Sequence, residues 1–307
     1  MIFCCSRLGK RAISSVVPRS DLEVTDFSIT NEPILGYLPG SQERKDLEAS
    51  IAKFSGQTED IPIIIGGKEY RTDNVQHQPM PHDHNNKVAQ FYWATPDLVE
   101  KSIKTAMAAK ADWEKVPIND KIQLFLNVAD QISGKYRADL NATTMLGQSK
   151  TIIQAEIDAA CELADFFRFN CYFAKELLKY QPISEDPNSV LNLMRYRPLE
   201  GFIASVTPFN FTAIAGNLAY TPCIMVTQLY CLWRQLRFML TLSQGNVTLW
   251  KPSDTAILSN YLIYKIFQEA GFPDGLVNFL PCDGPVFGKV VTGHPDLAAV
   301  NFTGSVP

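Results

Sequence analysis

The stretch Gly201–Thr212, reading GFIASVTPFNFT, constrains this chain most. Phe202, Ile203, Ala204 and Val206 form an apolar run of the length expected of a buried parallel strand. Proline has no N–H to give a ladder, so the strand is expected to end at Pro208. Asn210 follows between Phe209 and Phe211, and Thr212–Leu218 reads as a helix start. Strand, polar turn and helix in that order put the turn at the carboxyl end of an open α/β sheet, where such sheets place a ligand. Two readings of Asn210 stand. Its amide can donate to an oxygen that turns negative during a reaction. Alternatively it is a turn residue that caps the next helix.

The chain beyond this stretch alternates strand and helix. Asn246–Trp250, Leu276–Leu280 and Ala298–Phe302 are strand candidates, and Ala256–Ala270 and Val286–Thr292 are helices between them. Together with Gly201–Thr207 they imply a parallel, doubly wound sheet. The first half is read as largely helical. Ser41–Phe54 is a short helix, and Ile63–Ile65 with Gly66-Gly67 and the run to Tyr70 is a hairpin. His77, His82 and His84 lie in a Pro- and Asn-rich stretch, where a solvated loop outweighs a metal site. Lys87–Ala94 alternates like a strand. Thr95-Pro96-Asp97 opens a helix that runs to Trp113. Helices over Ile118–Ser133, Ala138–Met145 and Thr151–Tyr180 follow, then a strand at Leu191–Tyr196. In the longest helix Ile153, Ile157, Ala160, Leu163 and Phe167 form an apolar face. Glu156 sits beside it, and its ordinary reading is a solvated carboxylate.

Composition narrows the class. A length of 307 residues suits about two domains, and 46% hydrophobic with 20% charged residues is a common globular balance. A net charge of -4 argues against nucleic acid as the main partner. Seven scattered cysteines with no CxxC pair read as reduced thiols without a zinc site. Residues 1–20 are basic and serine-rich with no acid before Asp21, the composition of a mitochondrial transit peptide; a basic tail is the alternative. Val226–Gln244 interrupts the alternation with an apolar patch. Arg234 and Arg237 near its middle make a membrane span costly, and no span is expected.

TPFNFT at 207–212, LWKPSD at 249–254 and NFTGSVP at 301–307 occur in the order seen in the aldehyde dehydrogenase superfamily, which the chain resembles. ITNEPILGYLPGS at 29–41 and GQSKTIIQAEIDAACELADFFRFN at 147–170 resemble its delta-1-pyrroline-5-carboxylate dehydrogenase branch. The resemblance implies an α/β fold: an N-terminal, largely helical part over 21–190 and a partial Rossmann-like, NAD-binding sheet over 191–307. It implies NAD as cofactor, a small aldehyde as substrate, a mitochondrial matrix location and a homo-oligomer. Asn210 would donate in the oxyanion hole, and Phe211 would wall the aldehyde pocket. Thr207 would touch the cofactor. Lys251 and Asp254 would hold the adenosine ribose, an acid there suiting NAD and repelling a 2'-phosphate. Gly304 and Ser305 would start the loop that meets the pyrophosphate, and Glu156 would lie near the substrate.

Two departures qualify this. The family's nucleophilic cysteine and its glutamate base lie beyond the GSVP loop, and the 307 residues end before both. Cys282 reads as a packed thiol, so no turnover is expected of these residues. Val226–Gln244 is an insert within a crossover that is short in the family. A first Val codon and a last Gln codon can carry intron edges, so a retained intron is one origin. The competing function is a non-catalytic nucleotide-binding or subunit-interaction fragment.

Overall fold

A computed structural model describes residues 26–185, 192, 196–224 and 245–305. The expected transit peptide over 1–20, the insert Val226–Gln244 and four of the six residues of the strand expected at Leu191–Tyr196 lie outside them. In chain order the elements are α1 (Gln42–Ser55), β1 (Glu59–Ile61), β2 (Ile63–Ile65), β3 (Lys68–Tyr70), β4 (Val75–Met80) and β5 (Asp83–Tyr92). Then come α2 (Pro96–Trp113), α3 (Ile118–Ser133), α4 (Arg137–Gln148), α5 (Ile152–Ala155), a π-helical segment (Glu156–Glu162) and α6 (Leu163–Leu178). The second half holds β6 (Phe202–Val206), α7 (Thr212–Ile224), β7 (Thr248–Lys251), a 3-10 turn (Asp254–Ala256), α8 (Ile257–Glu269), β8 (Val277–Phe279), α9 (Gly284–Gly293) and β9 (Leu297–Phe302).

The expected organising strand is β6, and it lies between β7 and β9. The main sheet has the order β3-β2-β8-β7-β6-β9, with β8, β7, β6 and β9 parallel. Ile203, Ala204, Ser205 and Val206 pair with Thr248–Lys251 on one side, and with Ala299–Phe302 on the other. From β6 the chain steps through α7 to β7 and through α8 to β8. It then jumps back through α9 to the far side of β6. Right-handed crossovers put α7 and α8 on one face and α9 on the other, which makes the sheet doubly wound. The order reverses between β6 and β9, and such a switch point opens a crevice at the carboxyl ends of the strands. The Gly66-Gly67 hairpin adds β2, antiparallel to β8, and β3. Both glycines have positive φ (58° and 73°), as a tight primed turn requires.

Aromatic packing joins the two halves of the chain. Phe125 of α3, Phe167 of α6 and Phe267 of α8 meet with ring centroids 5.0–5.9 Å apart, and Tyr220 of α7 stacks on Phe267 at 3.4 Å. Each fully buried ring contributes about 2–3 kcal/mol.

Three sequence expectations need correction. The loop expected around His77, His82 and His84 is the β4–β5 hairpin, which joins β1 in a separate three-stranded sheet. Its alternation is masked by polar residues on both faces and by register shifts around Pro79. No group of three or more metal-ligating side chains forms among the described residues. The expected apolar face of the long helix fails at its start: Ile153 and Ile157 are 48% and 37% exposed, whereas Ala155, Ala159 and Ala160 are buried. A π segment rotates the helix out of the 3.6-residue phase that the pattern assumes. Glu156, in that segment, is 0% exposed and not solvated. Among the described residues, no helix is long and apolar enough to cross a membrane.

Gly201, just before β6, has φ 136°, and a Cβ there would stand 2.0 Å from the carbonyl oxygen of Asp296. That carbonyl accepts from Phe202 N–H and joins β6 to the start of β9. Gly201→Ala is therefore expected to destabilise the fold by on the order of 3 kcal/mol, read from the midpoint of urea unfolding.

Candidate cofactor and substrate site

The carboxyl ends of β6, β7 and β9 converge. Thr207 N–H donates to the Lys251 carbonyl at 3.1 Å, and Thr303 N–H to the Val206 carbonyl at 3.1 Å. Thr207 is buried, and its hydroxyl accepts from the Trp250 indole at 2.9 Å. These bonds bring Thr207, Lys251 and the Gly304-Ser305 loop start to one edge of the sheet. Gly304 and Ser305 are exposed there.

Lys251 ends β7, and its ammonium reaches the Pro252 carbonyl at 3.4 Å. Asp254 opens the 3-10 turn before α8. One carboxylate oxygen, Oδ2, accepts from the Trp93 indole at 3.1 Å. The other, Oδ1, is buried and has no hydrogen-bond partner among the described residues. Burial pushes the Asp254 carboxyl up, against the pull of Lys251 and Trp93 and with a further push from Asp283. A buried carboxylate oxygen without a donor is a vacant acceptor, and the hydroxyls of a ribose would satisfy it. The residues at this edge thus fit a nucleotide whose sugar carries free hydroxyls.

The turn after β6 is held from outside its own sequence. Thr212 N–H donates to Asp158 Oδ2 at 2.9 Å and Ala213 N–H to Asp158 Oδ1 at 2.8 Å. A carboxylate at a helix start satisfies amides that have no partner within the helix, and it suits the positive end of the dipole. Asp158 therefore takes the amides that the capping reading assigned to Asn210. Asn210 is exposed, and its side chain has no hydrogen-bond partner among the described residues. Lys150 pairs with Asp158 at 2.6 Å and lies 4.3 Å from the centroid of the Phe211 ring. The expected wall residue is thus held by a cation–π contact. Thr212 Oγ1 sits in a buried cluster with Thr144, Gln148 and Ser259, which ties α7 to α4 and α8.

Glu156 has another setting. Its carboxylate accepts from Leu35 N–H at 2.9 Å, Tyr37 hydroxyl at 2.6 Å, Asn141 amide at 2.7 Å and the Arg137 guanidinium. Arg137 also reaches Glu32 at 2.6 Å, and Glu32 pairs with Arg168 at 2.7 Å. These bonds run to the segment before α1 and to α4, not to Asn210 or Phe211. Burial alone would raise the Glu156 pKa; the four donors outweigh it and hold the carboxyl below the usual carboxylate range.

Cys282 is buried, its thiol donates to the Ala94 carbonyl at 3.4 Å, and burial pushes it up to about 11. That fits a packed thiol. Sequence reasoning missed Asp158, Lys150, Trp93 and Gln78. Gln78 donates to the carbonyls of Gly147 and Thr255 and accepts from Leu258 N–H, which fixes the turn that bears Asp254. The capping box at Thr151 and Gln154 marks the start of the helix that carries Asp158.

Two outcomes follow. Asp158→Ala is expected to cost about 1–2 kcal/mol and to speed hydrogen exchange at the amides of Thr212 and Ala213. Glu156→Gln is expected to cost about 3 kcal/mol or more by leaving Arg137 short of a partner. Because the folded pKa of Glu156 lies below its unfolded value, its stabilisation is present above about pH 4.3 and is lost as pH falls. The glutamine variant should therefore show a shallower loss of stability in acid, measured by urea unfolding as a function of pH.

Residues 71–307 match the pattern of the aldehyde dehydrogenase family. The chain is 47% identical over 284 residues to the Bos taurus protein named delta-1-pyrroline-5-carboxylate dehydrogenase, mitochondrial, covering 92% of this chain and 47% of that relative. Its Homo sapiens counterpart is 47% identical over 283 residues, covering 92% of this chain and 46% of that relative. The crystal structure of the delta-pyrroline-5-carboxylate dehydrogenase from Mycobacterium tuberculosis bound with NAD superposes with a TM-score of 0.82 at 37% identity, covering 92% of this chain and 50% of that one. The chain spans about half the length of the relatives that it matches. The family pattern takes in β4 to β9, the turn after β6 and the Lys251–Asp254 edge, and the chain belongs to the aldehyde dehydrogenase family.

Proposed function

We propose that this chain carries the cofactor-binding half of an NAD-dependent L-glutamate gamma-semialdehyde dehydrogenase, which oxidises the open form of delta-1-pyrroline-5-carboxylate to glutamate in the mitochondrial matrix. The observation that carries this reading is Asp254, which lies near Lys251 at the carboxyl end of β7 and keeps a buried oxygen without a partner among the described residues. Relatives named mitochondrial delta-1-pyrroline-5-carboxylate dehydrogenase support the substrate and the compartment. NAD would supply the hydride acceptor. Lys251 and Asp254 would grip its adenosine ribose, Thr207 would border it, and the Gly304-Ser305 loop would meet the pyrophosphate. Asn210, free of capping duty, would donate to the aldehyde oxygen as it becomes negative. Phe211 would wall the aldehyde, backed by Lys150 and Asp158. The buried setting of Glu156 favours a supporting role in the scaffold under this wall.

The role that we propose for these residues is to bind the cofactor and to wall the aldehyde. In this reading residues 1–20 are the transit peptide, 21–190 and 191–307 are two parts of one NAD-binding domain, and the intact enzyme is a homo-oligomer. The second reading, a subunit-interaction fragment, draws on β9. It closes one edge of the sheet and leaves Val300 and Phe302 51% and 55% exposed.

Calorimetry with NAD separates the two. The cofactor reading expects saturable NAD binding that Asp254→Ala weakens by about tenfold or more, since a hydrogen bond to a charged group is worth about 1.5–3 kcal/mol. It also expects the same variant to narrow the preference over NADP. Wild-type protein that ignores NAD, but assembles with copies of itself or with related subunits, would favour the second reading.

A further inference from the structure

Asp254 owes its orientation to a residue about 160 positions away in sequence. Trp93 follows β5, in the link to α2. Its backbone is fixed on both sides: its N–H donates to the Asn74 carbonyl at 3.0 Å, and its carbonyl accepts from the Thr72 hydroxyl at 2.9 Å. The next residue, Ala94, donates to the Pro281 carbonyl at 2.8 Å, which fastens this link to the chain just after β8. The indole of Trp93 then crosses to Asp254 Oδ2 at 3.1 Å. A donor on a backbone held at three points gives the carboxylate one orientation. Oδ2 is spent on the indole, and Oδ1 stays buried without a partner among the described residues.

We propose that Trp93 is the positioning residue for the ribose-binding carboxylate: its indole N–H holds Asp254 Oδ2 so that Oδ1 faces the adenosine ribose, which favours NAD over its 2'-phosphorylated form. This rests on the cofactor reading above. Trp93 does not touch the ribose; it acts through Asp254. The charged and titratable groups that act on Asp254 are Lys251 on β7 and Asp283 in the link before α9, with the neutral thiol of Cys282 beside it. Lys251 and the indole favour the ionised carboxylate, whereas burial and Asp283 oppose it. An ionised carboxylate is the stronger acceptor for a ribose hydroxyl, so NAD affinity falls as Asp254 takes up a proton. Loss of the indole N–H removes one pull on the ionised form and moves that fall to higher pH.

The test is calorimetric titration with NAD and with NADP from about pH 5 to 8, using wild type, Trp93→Phe, Asp254→Asn and the double variant. A further protein carries benzothienylalanine at position 93, which keeps the ring shape and lacks the N–H. The proposal expects Trp93→Phe and the benzothienyl protein each to weaken NAD binding by about tenfold. Both should bind NAD less well in acid than wild type does, with the midpoint moved up, and both should discriminate less against NADP. In the Asp254→Asn background Trp93→Phe should add less than about twofold, because the two residues act as one unit. Wild-type affinity and pH profile in the benzothienyl protein would overturn the proposal while leaving the cofactor reading intact. So would a Trp93→Phe effect of equal size in the Asp254→Asn background, which would mark a packing role. Absence of NAD binding by wild type, or an Asp254→Asn variant that binds NAD unchanged, would overturn both.

Discussion

The buried carboxylate of Asp158 accepts from two successive backbone amides, Thr212 and Ala213, and pairs with Lys150. The turn after β6 depends on this arrangement. The first amides of a helix have no partner of their own, and a charged acceptor at that end gains from the dipole as well as from the bonds. A carboxylate this deeply buried would be costly alone; Lys150 and the two amides offset that cost. Lys150 then reaches Phe211 with its remaining face. One acid thus sets where α7 begins, how the turn that bears Asn210 leaves the strand, and where the aromatic wall stands.

Asp158 lies on the π-helical segment Glu156–Glu162. Glu156 and Asp158 are two residues apart on it, a spacing that sets side chains on opposite faces of a helix and aims these two at different neighbours. Glu156 meets Leu35, Tyr37, Arg137 and Asn141 on the N-terminal side; Asp158 meets the start of α7. Two buried acids on one turn of helix brace two separate parts of the chain. The exposure of Ile153 and Ile157 is the counterpart of that rotation.

A second support comes from outside the main sheet. The β4–β5 hairpin sends Gln78 into the turn after β7, where it bonds to Thr255 and Leu258, and Trp93 beyond its end reaches Asp254. The Lys251–Asp254 edge is therefore positioned by a small three-stranded sheet that does not share its hydrogen-bond ladder. Loops at the ends of parallel strands have few backbone partners of their own, and side chains from a rigid neighbour give them a single conformation.

Much of this architecture is legible in the sequence, because it depends on local chemistry. The apolar run Phe202–Val206 with Pro208 after it, the cap Thr95-Pro96, the Gly66-Gly67 turn and the alternation of strand with helix beyond β6 each act within a few residues. So do the motifs that mark Thr207, Asn210, Phe211, Lys251, Asp254, Gly304 and Ser305, and the structure brings Thr207, Lys251 and the start of the Gly304-Ser305 loop to one end of the strands. What the sequence could not reveal lies between residues far apart. Asp158 caps a helix 54 residues on, Trp93 orients a carboxylate 161 residues away, and Glu156 is buried by Tyr37, which lies 119 residues before it. Periodicity assumes one helical pitch and assigns a lone acid to water. Tertiary structure overrides both where a π turn changes the phase and where distant donors make a buried charge tolerable.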